Sequence, residues 1–392
     1  ARRTCASLRK SKVARTLFDT NDPGTVKKWS AKAMAELTVA SYFIGKMTGT
    51  EEQRLPIALR NDLESGPGDE VTLYLVAKIV GAPIRGNDKA EGRERRLTDT
   101  TFKLKIDRFR QPINVGDLMA QKRRPYDLTK MAATRVGEYW GEYLDEEFFV
   151  HLSGQRGTGD NIQHLEPNYA GWPNAVVAPD ADHLLYPVGA TNEATLGDDD
   201  TMTRSVIERA TLRAETMRGG GADKPKQMQM CSIEGEEYWV HVMHGAQMHD
   251  LRMETGEAGW LALEKARITA QGIKTPIFQG QAGAKAILNR TLLCAHNSIT
   301  YRSNYGPGSN VIGMRSLFMG AHAGVIAFGT NDRNKNGVRL AIGETKVDLE
   351  DETVLKSATY MGVAKTRYHG KDFGLIAIDT GISEAARTAM AA

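Results

Sequence analysis

The 392-residue sequence has little cysteine, no long hydrophobic run and almost no charge imbalance. Cys5, Cys231 and Cys294 are odd in number and widely spaced. That spacing excludes a disulfide framework and a CxxC metal site, and it suggests free thiols or a reducing compartment. No stretch approaches the roughly eighteen apolar residues of a membrane-spanning helix, and the basic N-terminal region is not followed by an apolar signal core. A soluble protein made in the cytoplasm is the expectation. A net charge of +3 creates no global field that calls for nucleic acid or membrane. Catalytic signatures are missing as well. Gly45-Lys46 lacks the upstream glycine of a P-loop, and Gly157-Thr158-Gly159 lacks the third glycine of a dinucleotide fingerprint. There is no Gly-x-Ser-x-Gly elbow, and Cys231 has no local nucleophile signature. An enzyme of this length usually shows one such mark, so the absences point away from catalysis.

What is present is core. Hydrophobic residues make up 41% and charged residues 25%, ordinary for a soluble globular protein of two or three compact units. The organising stretch runs from Asp127 to Gly154. Leu128, Met131, Ala132, Val136, Tyr139, Trp140, Tyr143, Leu144, Phe148 and Leu152 recur every three to four residues, which predicts a long amphipathic helix. Asp127 is placed to cap it and Gly154 to close it, over roughly 25 residues or about 37 Å. Glu138, Glu142, Asp145, Glu146 and Glu147 read as its wet side.

Ahead of this helix the period switches to two. After the turn Gly66-Pro67-Gly68-Asp69, the residues Val71, Leu73, Leu75, Ala77 and Ile79 alternate with Thr72, Tyr74, Val76 and Lys78. Thr101 to Arg110, with Phe102, Leu104 and Ile106 alternating, is the expected partner strand. Between them lies a charged loop, Gly81 to Thr100, with Arg85, Asp88, Lys89, Glu91, Arg93, Glu94, Arg95 and Arg96. So long a loop usually serves a purpose, and a two-stranded hairpin is marginal alone. It is either a loose surface loop or a projection onto a neighbouring subunit, with Arg85, Lys89, Arg93, Glu94, Arg95 and Arg96 forming intersubunit salt links. The first eighteen residues carry Arg2, Arg3, Arg9, Lys10, Lys12 and Arg15 and no acid. They read as a solvated arm, or one that lies on a neighbour or touches phosphate.

Further along, Val26 to Met47 reads as a helix and Arg54 to Leu63 as short and extended. Gln155 to Asp200 reads as irregular, ending in the acidic capping region Asp198-Asp199-Asp200 before a helix from Thr203 to Met217. Gly219-Gly220-Gly221 is a candidate hinge. Tyr238 to His244 reads as a strand, Trp260 to Ala270 as a helix, Met314 to Phe328 as a closely packed helix, and Asn331 to Asn336 as a polar tip. Val354 to Tyr368 and Phe373 to Asp379 read as strands joined at His369-Gly370-Lys371-Asp372. The densest set of possible ligands is His241, His244, His249 and Asp250. On a strand, however, His241 and His244 point to opposite faces, and the HExxH general base is absent. A metal-dependent hydrolase built on these four is the rival reading, and a nucleic-acid-binding module using the basic arm is a third.

Several stretches together resemble the major capsid proteins of tailed bacteriophages, specifically the enquatrovirus-like podophage family. They are Gly66-Pro67-Gly68-Asp69 with Ile106-Asp107-Arg108-Phe109-Arg110; the long helix into Leu152-Ser153-Gly154; and His244 to Arg252 with Trp260 and Pro276 to Gly280. Arg315 to Gly329 and Gly362 to Lys365 with Asp372-Phe373-Gly374 complete the series, in family order over about Trp29 to Gly381. Gly245 and Ala246 depart from the aromatic or proline of many relatives, and Gln155 to Asp198 does not align. The resemblance implies an α+β chain of the Hong Kong 97-type fold. Its parts would be an N-terminal arm and helix (1–48), an extended loop (66–117), a peripheral domain (118–235) with its spine helix at 127–152, an axial domain (236–353) and returning C-terminal strands (354–392). It implies a structural protein of the virion capsid, assembled in the bacterial cytoplasm from hexamers and pentamers around double-stranded DNA held without sequence readout. Portal, scaffolding and decoration proteins are the other implied partners, with no membrane, cofactor, metal or catalytic residue.

Overall fold

The computed structural model describes residues 33–50, 52–64, 68–76, 82–86, 89, 91–92, 94, 99–125, 127–217, 227–233, 235–254, 284–329, 339–347 and 352–391. The arm with Arg2, Arg3 and Arg9, the tip residues Arg93, Arg95 and Arg96, the 219–221 hinge, the 260–270 helix and the 331–336 tip lie outside the described residues.

Two sheets share one hydrophobic core with the long helix, Leu128–Ser153, running through it. Asp127 caps that helix by accepting from the Thr129 and Lys130 amides, and Gly154 closes it in the left-handed conformation. The six-stranded sheet is organised on the fourteen-residue strand Glu352–Lys365. Along one edge it pairs antiparallel with Leu340–Val347 and then Gly324–Gly329; along the other it pairs with Asp107–Asp117. Ile57–Arg60 joins Gly324–Gly329 in parallel, and Thr48–Gly49 joins Ile57–Arg60. The eight-stranded sheet is ordered Leu184–Leu185, Leu375–Gly381, Val311–Met319, Glu236–Met243, Thr291–Ala295, Ala284–Leu288, with Tyr301–Tyr305 paired to Val311–Met319 and Cys231–Ile233 paired to Glu236–Met243. Trp140, Leu144, Phe148 and Phe149 pack between residues of both sheets, Leu355, Met361 and Val363 from one and Val240, Val242 and Leu317 from the other.

A short helical segment, 33–40, crosses the long helix at almost backbone distance. A Cβ on Gly137 would meet Ala33 O at 2.9 Å, and one on Gly141 would meet the Ala40 side chain at 2.8 Å. Two glycines four apart on one helix face make that approach possible. Among the described residues no helix is long and apolar enough to cross a membrane.

The structure corrects several expectations. Met314 to Phe328 is not a helix; it is the strand Val311–Met319, a turn with His322 at φ 57°, and the strand Gly324–Gly329. Both strands are buried on both faces, so the apolar run shows no period, and Val325, Ile326, Phe318 and Phe328 favour strand over helix. The helix expected to reach Met47 ends at residue 40. His244 lies outside its strand and caps the next helix, Gly245–Met253. The strand expected over Thr101 to Arg110 breaks at Ile106. Asp99–Lys105 pairs with Glu70–Val76, whereas Asp107–Asp117 belongs to the six-stranded sheet.

Candidate assembly surfaces and the frame behind them

In the hairpin Glu70–Val76 and Asp99–Lys105 the two alternating strands pair with Val71 facing Leu104 and Leu73 facing Phe102. Its inward side chains do not wait for a neighbour. Val71, Leu73 and Leu104 are buried against Ala58, Leu63, Val325, Ala327 and Ala364 of the same chain. The ring of Phe102 meets Tyr368 edge-on at 6.4 Å, and Thr100 Oγ1 lies 2.7 Å from His369 Nε2. Asn174 pins the base: its Oδ1 accepts from the Lys105 amide at 2.9 Å, and its Nδ2 donates to the Lys105 and Val363 carbonyls. Opposite, a Cβ on Gly362 would fall 2.0 Å from Lys105 O, so only glycine lets the hairpin sit this close. At the far end Arg85, Lys89 and Glu94 are exposed. Glu94 accepts from the Gly92 amide at 3.1 Å. The base is therefore held by its own chain, and the described tip residues project.

Behind this surface stands a polar frame that the sequence conceals. Three consecutive acids of the long helix, expected on its wet side, are buried. Asp145 accepts from Ser41 Oγ at 2.7 Å and from the Tyr42 and Phe43 amides at 2.6 and 3.2 Å, so it anchors the turn after the short helical segment. Glu146 accepts from the Gln163 and His164 amides and lies 2.9 Å from His164 Nδ1. Glu147 accepts from Tyr169 Oη at 3.2 Å, and its other oxygen has no partner among the described residues. One helix thus holds three segments that have little regular structure of their own. Consecutive residues are about 100° apart on a helix, so three acids in a row cannot share one wet face. That was the available signal.

Burial pushes the Glu147 carboxyl up to about 8 and that of Asp145 up to about 7, the latter against the pull of its three donors. A carboxyl raised in the folded state stabilises the fold below its unfolded value, and that stability is lost as pH rises through the folded value. For Glu147 the window runs from the ordinary carboxylate range to about 8. Unfolding free energy of the unassembled chain is expected to fall between pH 5 and 8, with Glu147 contributing up to about 1.4 kcal/mol per pH unit. Glu147→Gln should flatten that slope in denaturant melts at pH 5, 6.5 and 8. An unchanged slope would show that Glu147 is ionised in the fold.

The second part of the frame is Arg315. Its guanidinium donates to Asp379 through Nε and Nη2, both at 2.6 Å, to Ser153 O at 3.2 Å and to Glu193 Oε1 at 2.9 Å. It ties the C-terminal turn of the long helix to two central strands of the eight-stranded sheet.

The histidine set does not converge. His241 is buried with Nε2 3.0 Å from Ser316 Oγ, its pKa pushed down to about 3 by burial. His244 Nδ1 accepts from the Ala246 amide as a helix cap. Asp250 accepts from the Ser383 amide and hydroxyl, with His249 Nδ1 3.4 Å away. Among the described residues no three His, Cys, Asp or Glu side chains are placed to hold a metal ion. The hydrolase reading has no support here: His241 packs in the core, His244 and Asp250 serve as caps, and His249 is half exposed.

Comparison with known proteins follows the fold. A family model described as phage capsid protein matches residues 18–384. The major capsid protein of Pseudomonas phage KPP25 is 22% identical over 351 residues, covering 82% of this chain and 88% of that one. The capsid of Ralstonia phage GP4 is 36% identical with a TM-score of 0.80, covering 95% of this chain and 99% of that one. The capsid asymmetric unit of cyanophage Pam1 shares the fold at 17% identity and a TM-score of 0.63, over 97% and 100% of the two chains.

Proposed function

The chain belongs to the phage capsid protein family, and from that premise we propose how its elements build a shell. It is a major capsid protein of a tailed bacteriophage, a structural component of the icosahedral virion capsid that assembles from copies of itself. The observation that carries this is the near end-to-end match to the Ralstonia phage GP4 capsid. In our reading the long helix with the six-stranded sheet is the peripheral domain, and the eight-stranded sheet is the axial domain. The strands of the two interleave along the sequence, since Leu375–Gly381 pairs with Val311–Met319 while Glu352–Lys365 pairs with Gly324–Gly329. Axial domains meet at the five- and six-fold axes of pentamers and hexamers, and identical chains close the shell by symmetry. Double-stranded DNA is enclosed by confinement, which suits a net charge of only +3. Portal, scaffolding and decoration proteins complete assembly in the bacterial cytoplasm.

The hairpin tip and the basic N-terminal residues are the proposed intersubunit contacts: Arg85, Lys89, Arg93, Glu94, Arg95 and Arg96, with Arg2, Arg3 and Arg9. Because the hairpin base is already packed on its own chain, the intersubunit salt links are assigned to the tip. Reversing Arg85, Arg93, Arg95 and Arg96 to glutamate should abolish shell formation while the helical circular dichroism of the unassembled chain stays unchanged. Normal shells from that variant would refute the assignment of the tip.

Lys89 is exposed. Forming an isopeptide bond would require a desolvated, deprotonated lysine beside a carboxylate that handles the proton. An exposed, charged lysine instead makes ion pairs worth about 0–1 kcal/mol each, summed over many copies. Shells boiled in detergent are expected to run as one band near the chain mass of 43.0 kDa. A ladder of higher oligomers would show a reactive lysine.

A further inference from the structure

Where the hairpin base meets the body there is a cavity of about 280 Å³ that the assembly account does not use. Three independently placed elements form it: the hairpin strand through Lys103 and Lys105, the long helix through His151, and the end of the long strand through Lys365 and the adjoining Arg367. Asn174 closes one side, and no carboxylate lines it. Glu70 pairs with Lys103 at 2.7 Å; Asp372 pairs with Lys365 at 2.7 Å and with Arg367 at 3.0 Å. Those two acids, with Asp180 also acting on Lys365, do not offset all four cations, so the wall stays net positive. The cavity opens to solvent on the hairpin side, where Lys103 is 65% exposed, and reaches inward to Lys365, which is 3% exposed.

A second observation is independent of charge. His151 is buried, and its Nε2 has no hydrogen-bond partner among the described residues. Buried side-chain nitrogens nearly always have one, so an orphan on the wall of a cavity points to a group supplied from outside. Burial, and then Lys365, push the His151 pKa down to about 4, so the ring is neutral at physiological pH and can donate one N–H. An N–H donor flanked by cations selects an acceptor with negative charge.

We propose that this cavity binds one oxyanion, a phosphate or carboxylate group, bridging the hairpin to the long helix and long strand. The ligand accepts from His151 and is neutralised by Lys103, Lys105, Lys365 and Arg367. Bound there, it fixes the angle of the hairpin to the body and so the reach of the exposed tip. The group is either inorganic phosphate or the side-chain carboxylate of a neighbouring copy.

The test titrates the unassembled full-length chain with sodium phosphate, and separately with sodium acetate, at an ionic strength held constant with sodium chloride. Imidazole signals are followed by nuclear magnetic resonance, and His151→Gln identifies the His151 signal. A saturable shift of that signal is expected, with an apparent Kd weakened at least about tenfold in Lys103→Gln/Lys105→Gln, the loss of at least one charge-assisted hydrogen bond. If that double variant misfolds by circular dichroism, Lys105→Gln alone leaves the Lys103–Glu70 pair intact and serves the same purpose. No saturable shift beyond chloride, or identical affinity in the folded variant, overturns the proposal. Repeating the phosphate titration on assembled shells identifies the source. Exclusion of phosphate assigns a neighbour's carboxylate and binding assigns the free ion; both presuppose the site.

Discussion

Arg315→Ala is expected to yield no soluble full-length chain. The substitution leaves Asp379 fully buried without its bidentate cation, and it also removes the donor to Ser153 O. Removing one partner of a buried pair costs about 3–5 kcal/mol, a large part of the roughly 5–15 kcal/mol that holds a folded protein together. The position compounds the loss, because the guanidinium joins the long helix to the middle of the eight-stranded sheet. Solubility and sedimentation of the expressed variant check this. Arg315→Met with Asp379→Leu is the informative control. Replacing both charges by apolar groups removes the uncompensated carboxylate and should restore soluble protein. Soluble, assembling Arg315→Ala would mean that the pair is dispensable.

Trp140→Ala should be nearly as damaging, at about 3–5 kcal/mol for loss of a buried ring. The indole is 2% exposed and packs edge-on against Tyr139 and Tyr143. Its Nε1–H donates to Ser357 Oγ at 3.0 Å, and Ser357 donates in turn to Gln111 O at 2.8 Å. That chain runs from the long helix through the long strand to the strand leaving the hairpin. Trp140→Phe keeps a six-membered ring and loses the hydrogen bond, about 1 kcal/mol, together with part of the ring volume, so it should cost less than Trp140→Ala and still assemble. Yields of sedimentable particles from the two variants separate packing from hydrogen bonding. Equal yields would place the ring outside the core.

Much of this was legible locally. The caps Asp127 and Gly154, the helix stripe through Trp140 and Phe148, and the alternation of each hairpin strand are all fixed by residues near one another in the chain. What was hidden depends on distant partners. Asp145, Glu146 and Glu147 look solvated until segments 41–43, 163–164 and 169 arrive to donate to them. Arg315 and Asp379 lie 64 residues apart, and no local pattern marks either. Met314 to Phe328 reads as a helix because the strands Val311–Met319 and Gly324–Gly329, buried on both faces, carry no alternation. The sequence leaves open what the hairpin base lies on, since Asn174 and Gly362, which seat it on its own chain, are far from it in sequence. The resemblance to tailed-phage capsid proteins reached function where such residue-level reading could not, because capsid assembly leaves no catalytic signature.

Electron microscopy of the purified full-length chain tests the central claim most directly. A capsid protein with this frame should form closed icosahedral shells, or rings of five and six copies as their precursors. Small monodisperse particles that form neither rings nor shells at any concentration or salt would contradict it.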